Sequence, residues 1–473
     1  PLVYAEFDSS NAIQGPVTLA YKGLLFGQML TAGSATADTL VPVTSAEGAA
    51  DLFGEGSQLH HMAVAWFANN PTTELYAMPV AEPAGVQASG TIVVTGPATE
   101  AGSIDLYIAG RNIEVAVASG DSANTIAAAI EAAIDAETSL PVTAGVSTNT
   151  VTITAKQKGL IGNQIDIRVN YYTDEATPAG VGLAITAMSG GTLAPSLTNA
   201  IAALGDEWFN VIAFGWNDST SLSAIKAEMT SRAGPTRMID GMVFAAKDDT
   251  HANLLTFGDA HNNAYLSFIH NADCPHPSYE WAAAAAAVAS YYLAIDPARP
   301  LQTLPLAHVL PPARADRFTI NENNQLLYHG ISTHYVDADG TVRLQTVITT
   351  YKQNALGADD ESYLYVETVM TLSYLRYDLR VMFLTKYPRH KLADDGTRYG
   401  PGQAIITPKV AKAEVINRAR QWEELGLVEN IDAFKESLIV ERNTSNRQRL
   451  DMQLAPDVVN QLRIVGQKIS FVL

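Results

Sequence analysis

Between Val86 and Thr192, apolar and polar positions alternate in short runs. Ile104, Leu106 and Ile108 share one face of such a run, and Ile165, Ile167 and Val169 share another. Period two is the pattern of a half-buried strand. It predicts strands at Thr91–Thr95, Ile104–Ile108, Ile113–Val117, Val151–Thr154 and Ile165–Val169, with a tight turn at Gly110-Arg111-Asn112. The period changes once. After Asp121-Ser122, Ile126, Ile130 and Ile134 recur at i, i+4 and i+8, which predicts one amphipathic helix. The segment reads as a compact, mainly β module inserted into a larger domain. Its junctions fall at the Thr/Gly-rich stretches Gly85–Gly90 and Ser189–Thr192.

The flanks have a different rhythm. Val17–Phe26 and Glu74–Val80 read as strands, with a helix starting near Ser45 and another carrying Met62, Trp66 and Phe67. Beyond the module, Phe209–Phe214, Met242–Ala246, Leu266–His270 and Thr303–Val309 are short apolar runs between helical stretches. That alternation predicts a mostly parallel sheet with helices on both faces. Asp337-Ala338-Asp339-Gly340 between Ser332–Val336 and Thr341–Tyr351 predicts a hairpin. Helices are expected at Tyr363–Leu384, Pro408–Leu425 and Ile431–Leu438, the second capped by Thr407 with Pro408 at its first position. The longest apolar run, Trp281–Ile295, falls short of the roughly 20 residues a bilayer crossing needs and reads as a buried helix.

The two tips are apolar as well. Ile469, Phe471 and Leu473 alternate with Lys468 and Ser470, and the chain opens on Leu2, Val3, Tyr4 and Phe7. Extended segments of this kind either complete their own sheet or add to the sheet edge of a neighbour, and the second arrangement builds polymers. The expected organisation is therefore an N-terminal arm at 1–15, a core α/β domain at 16–85 and 193–340, the inserted module at 86–192, an α+β domain at 341–459 and a C-terminal arm strand at 460–473. Gly15-Pro16 and Pro456 punctuate the arm junctions and mark Ser9–Gly15 and Ala455–Asp457 as hinges.

Composition narrows the function. With 47% hydrophobic and 17% charged residues, the chain has material for a large core and is not a disordered polyelectrolyte. A net charge of −19 argues against nucleic acid as the main partner. A lone cysteine, Cys274, excludes an internal disulfide framework and suggests a reducing compartment, and no signal peptide is visible. Nucleotide-binding, serine-hydrolase and zinc-protease motifs do not occur. His270-Asn271-Ala272-Asp273-Cys274-Pro275-His276 reads as a polar loop rather than a metal or Cys–His site, because one cysteine has no partner at ligand spacing. His60 and His61 are adjacent on a helix, face different ways and do not share a metal. Gly159–Asn163 leads into a strand rather than a helix, so it is a turn and not a phosphate cradle. No catalytic residue, cofactor or metal is expected.

Two further segments carry a family pattern. One is Ile348-Thr349-Thr350-Tyr351-Lys352-Gln353-Asn354, followed by Gly357, Asp359-Asp360, Ser362-Tyr363-Leu364, Val366-Glu367-Thr368 and Leu375-Arg376-Tyr377. The other is Lys386-Tyr387-Pro388-Arg389-His390-Lys391-Leu392 leading to Tyr399-Gly400-Pro401-Gly402-Gln403-Ala404. With Leu438–Asn443 and Arg449-Leu450-Asp451, they resemble the C-terminal half of tail sheath proteins of Mu-like contractile phages. The resemblance implies a subtilisin-like α/β core without its protease chemistry, since the Gly-Thr-Ser nucleophile segment is missing. It implies a helical homopolymer around a tail tube, in contact with baseplate and tail terminator proteins, with arms woven between subunits. No nucleic-acid partner and no membrane insertion are expected. Such a subunit is assembled in the host cytoplasm, belongs to the virion, and contracts to drive the tube through the envelope. A non-contractile shell or baseplate component, or a hydrolase on the same scaffold, are the alternatives. On the expected helix Pro408–Leu425, Lys409, Lys412 and Arg420 fall at i, i+3 and i+11 and form a basic stripe that would meet an acidic tube.

Overall fold

The computed structural model describes residues 19–471, so the expected N-terminal arm, with Leu2, Val3, Tyr4 and Phe7, lies outside the described residues, as does Leu473. The chain divides into two compact units. One comprises Tyr21–Asp296 with Leu301–Val369; the other comprises Pro297–Pro300 with the chain from Met370 onward.

The first unit is built on an eight-stranded sheet. Six strands run parallel in the spatial order Glu74–Val80, Lys22–Gln28, Val211–Phe214, Met242–Lys247, Leu266–His270 and Ile331–Val336. Val41–Val43 and Val342–Thr346 close the two edges antiparallel. Alternate residues of the central strand choose opposite faces. Leu24 and Phe26 meet Leu222, Ile225 and Met229 of the helix Ser219–Ala233. Gly23 and Gly27 lie under the helix Gln58–Asn69, and a Cβ on Gly23 would stand 2.4 Å from Trp66. The Ala-rich helix Ser278–Ile295 packs beside that helix, and its small side chains permit the close approach. Thr303–Val309 forms no strand. Thr303 and His308 have positive φ and Pro305 interrupts the run, so apolar content there feeds a packed loop.

Residues 87–189 form two antiparallel sheets around their own apolar cluster. Gly182–Ser189, Gln87–Thr95, Thr150–Lys158 and Val142–Ser147 make one; Arg111–Val117, Gly102–Ile108 and Ile167–Val169 make the other. The helix Ala123–Ala136, capped by Ser122, inserts Ile126, Ile130 and Ile134 between them. The strands Val142–Ser147 and Gly182–Ser189 lacked a sequence signal because Gly145, Gly182 and several Ala and Thr positions dilute the apolar alternation.

In the second unit, the helix Val366–Lys386, from Met370 onward, packs Leu375, Leu379 and Phe383 against Val415, Ala419 and Trp422 of the helix Pro408–Glu424. Thr407 caps the latter through Val410 N–H, with Pro408 at its first position. The helix Ile431–Ser437 and three two-stranded pairings complete the unit: Lys391–Leu392 with Ile405–Ile406, Ile439–Arg442 with Leu450–Gln453, and Val428–Glu429 with Asp457–Val458.

Candidate functional site

An open parallel sheet binds ligands outside the carboxyl ends of its strands, where the strand order reverses. Here that point lies between Lys22–Gln28 and Val211–Phe214, and side chains fill it. Gln58 Oε1 accepts Gln28 N–H at 2.7 Å, and Gln58 Nε2 donates to the Gly215 carbonyl at 2.6 Å. Gln157 of the inserted module accepts Gln58 N–H at 2.7 Å, and Gln28 Nε2 donates to the Lys158 carbonyl at 3.0 Å. All three glutamines are buried. The crevice that would hold a substrate is occupied by amides joining the module to the sheet.

A second polar cluster surrounds Glu280, which is fully buried in the first turn of the Ala-rich helix. Its Oε1 receives Arg111 Nη1 at 3.2 Å from the module's Gly110–Arg111 turn, and its Oε2 receives His308 Nε2 at 3.0 Å. His61 Nδ1 lies 3.4 Å from Oε1 and His276 Nε2 lies 4.0 Å from Oε2. Burial alone would push the Glu280 carboxyl up, but Arg111 and the surrounding imidazoles more than offset it and hold it well below the usual carboxylate range. Burial pushes His61 well below its ordinary value and His276 down to about 4. His276, Glu280 and His308 come close enough together to suggest a metal site. The donor set does not fit one. His276 Nδ1 accepts Leu310 N–H at 3.1 Å, so in the neutral ring the proton sits on Nε2, the atom a metal would need, and a guanidinium already occupies the carboxylate. The cluster is a buried ion pair in a cage of imidazoles. His276 and Glu280 stand four residues apart, the one signal in the sequence that could have found it.

The remaining candidates are surfaces. Ile469 and Phe471 are 85% and 79% exposed, and Leu462, Ile464 and Val465 upstream are exposed too. No strand forms over 459–471, although the alternation has strand period, because no sheet edge of the second unit is paired with it. The strand Asp457–Val458 is hydrogen-bonded to Val428–Glu429, so the extended stretch begins just beyond the Ala455–Asp457 junction.

On the helix Pro408–Glu424, Lys409 and Arg420 are exposed. They stand about 16 Å apart along the axis at 1.5 Å per residue. Lys412 is half-buried and its Nζ donates to the Leu438 carbonyl at 2.7 Å. The helix is anchored by Asp378, which is fully buried and accepts Trp422 Nε1 at 2.7 Å and Arg418 Nη1 at 3.5 Å.

Residues 190–350 match the phage tail sheath protein central domain, and residues 358–471 match the phage tail sheath C-terminal domain. The whole chain is 45% identical, over 474 aligned residues, to the Mu-like prophage FluMu tail sheath protein of Haemophilus influenzae and spans 97% of it. Among solved structures, the sheath tail protein of Desulfitobacterium hafniense superposes with a TM-score of 0.50 at 12% identity, covering 97% of this chain and 100% of that one. The sheath tail protein of Listeria innocua gives a TM-score of 0.50 at 12% identity, with 94% and 93% covered.

Proposed function

The chain belongs to the phage tail sheath family, and from that premise we propose that it is the repeating subunit of a helical sleeve that surrounds a tail tube and contracts. The observation that carries this reading is the exposed alternating stretch ending in Ile469 and Phe471, beside a sheet of only two strands, Val428–Glu429 and Asp457–Val458. Such a sheet has two open edges, and an extended segment from a second copy would satisfy one of them. A head-to-tail joint of this type that does not close on itself generates a filament. In this reading residues 1–15 and 460–473 are the arms, Leu2, Val3, Tyr4, Phe7, Ile469, Phe471 and Leu473 are their anchors, and Lys409, Lys412 and Arg420 face the tube.

The sleeve would end at a baseplate and a terminator, form in the host cytoplasm and leave as part of the virion. The core would share the subtilisin-like architecture and act without catalysis. Among the described residues no helix is long and apolar enough to cross a membrane. The sequence carries no nucleotide motif, so the work of contraction would come from a lattice assembled above its minimum, a switch between two packings of nearly rigid subunits. Electron microscopy of the purified protein tests the reading. Hollow cylinders in the contracted form, without added nucleotide, are expected; a monodisperse particle at all concentrations, or a requirement for ATP, refutes it.

A further inference from the structure

Among the contacts that fasten the inserted module to the rest of its unit, which include Tyr171 Oη–H to the Pro311 carbonyl and Thr138 Oγ1–H to Glu55, two differ sharply in chemistry. At one place the fastening is neutral: the Gln28, Gln58 and Gln157 amides, with the chain crossing where Gly85 meets Thr192. At the other it is ionic: Arg111, at the tip of a module hairpin, reaches the buried Glu280. The hairpin tip fits closely, since a Cβ on Gly110 would stand 2.3 Å from the His276 ring.

We propose that the Arg111–Glu280 contact is an acid-sensitive latch, which releases the Gly110–Arg111 hairpin from the sheet while the glutamine fastening stays closed.

Every charged or titratable group facing the latch bears on this. His60 and His61 come from the helix Gln58–Asn69, and His276, Tyr279 and Glu280 from the start of the Ala-rich helix; burial and Glu280 push the Tyr279 hydroxyl up, so it stays neutral across the acid range. His308 comes from the loop before Leu310, and Arg111 from the module; Glu55 and Lys156 act on His60 from further out. At neutral pH His60, His61 and His276, all held below their ordinary values by burial, are uncharged beside one ion pair. Acid adds a proton to His276 at Nδ1, the only ring nitrogen that is free to take it. That atom now meets the Leu310 N–H as a second donor, and the hydrogen bond holding the His308–Leu310 loop is lost. A proton on His61 places a second positive charge beside Arg111 and competes for Glu280. Burial holds both imidazoles below their ordinary values, so the event belongs to moderately acidic conditions. The glutamine fastening contains no titratable group and does not respond.

Amide hydrogen exchange on the full chain, kept dilute and corrected for the intrinsic rate, separates the two fastenings. Between about pH 7.5 and about pH 4.5, peptides covering 104–117 should exchange at least about ten-fold faster. Peptides covering 150–158 and the Ala123–Ala136 helix should keep their protection. Arg111→Met retains the aliphatic stem and removes the charge at the edge of the cluster, so it should show the fast hairpin exchange already at neutral pH. His276→Gln keeps an acceptor for Leu310 and does not titrate; it should lower the opening pH. Full hairpin protection in Arg111→Met at neutral pH overturns the proposal. So does loss of protection in all these peptides at one pH in the wild type, because that is ordinary acid unfolding.

Discussion

Replacing Ile469 and Phe471 together by serine addresses the assembly joint directly. Burying an aliphatic or aromatic side chain of this size is worth roughly 1.5–3 kcal/mol. At 85% and 79% exposure, nearly all of that area is still open in the single chain. Ordering each side chain in a joint costs about 0.5–1.5 kcal/mol. The pair should therefore contribute about 2–3 kcal/mol per joint, equivalent to a roughly 30- to 150-fold change in an association constant. The double variant should raise the concentration at which sedimentable tubes appear by that order. Its monomer should be nearly unaffected, since exposed substitutions away from special features stay within about 0.5 kcal/mol. Pelleting across a concentration series reads the first quantity, and thermal unfolding below the assembly threshold reads the second. An unchanged threshold would show that these side chains are not in the joint. A large fall in melting temperature would show that they are buried within their own subunit.

Four further outcomes are expected. Asp378→Ala removes the acceptor for Trp422 Nε1 and Arg418 Nη1 and should destabilise the second unit by about 3–5 kcal/mol in denaturant unfolding, with Asp378→Asn costing less because it keeps an acceptor. Charge reversal at Lys409 and Arg420 should reduce co-sedimentation with an acidic tube at low salt and spare sheath-only tubes, whereas Lys412→Glu should also lower the melting temperature because Lys412 holds the Leu438 carbonyl. Burial pushes His334 down to about 4, so its contribution to stability is complete above its unfolded value of about 6.5 and is lost as pH falls toward 4, at most about 3 kcal/mol; His334→Phe, which keeps a ring against His270 and Trp281, should flatten that part of a melting-temperature profile. Gly85→Ala would set a Cβ 1.7 Å from the Thr192 carbonyl oxygen and should cost at least about 1–3 kcal/mol, seen as a lower melting temperature, with the loss centred on the module junction in hydrogen exchange.

What the chain encodes locally was open to reading in its order. Period-two alternation at Ile104, Leu106 and Ile108, the four-residue spacing of Ile126, Ile130 and Ile134, and the Thr407-Pro408 start each produce the corresponding element. They do so because pleat, helical repeat and cap geometry act over a few residues. Local pattern misled where backbone constraint outweighed apolar content, as at Thr303–Val309, and was too weak to reveal Val142–Ser147 and Gly182–Ser189. The apolar alternation at Ile469 and Phe471 is equally local, and no strand follows from it in a single chain, because a strand needs an edge to bond to. The pairings of Gln58 with Gln157 and of Arg111 with Glu280 join residues 99 and 169 positions apart. Nothing at either end announces the partner. A glutamine or an arginine on a turn is an ordinary surface residue until the sheet order and the docking of the module withdraw water from it. Burial then turns an amide into an obligatory hydrogen bond and a carboxylate into an obligatory ion pair. That withdrawal of water is a property of the assembled layers, so only the tertiary structure could decide it.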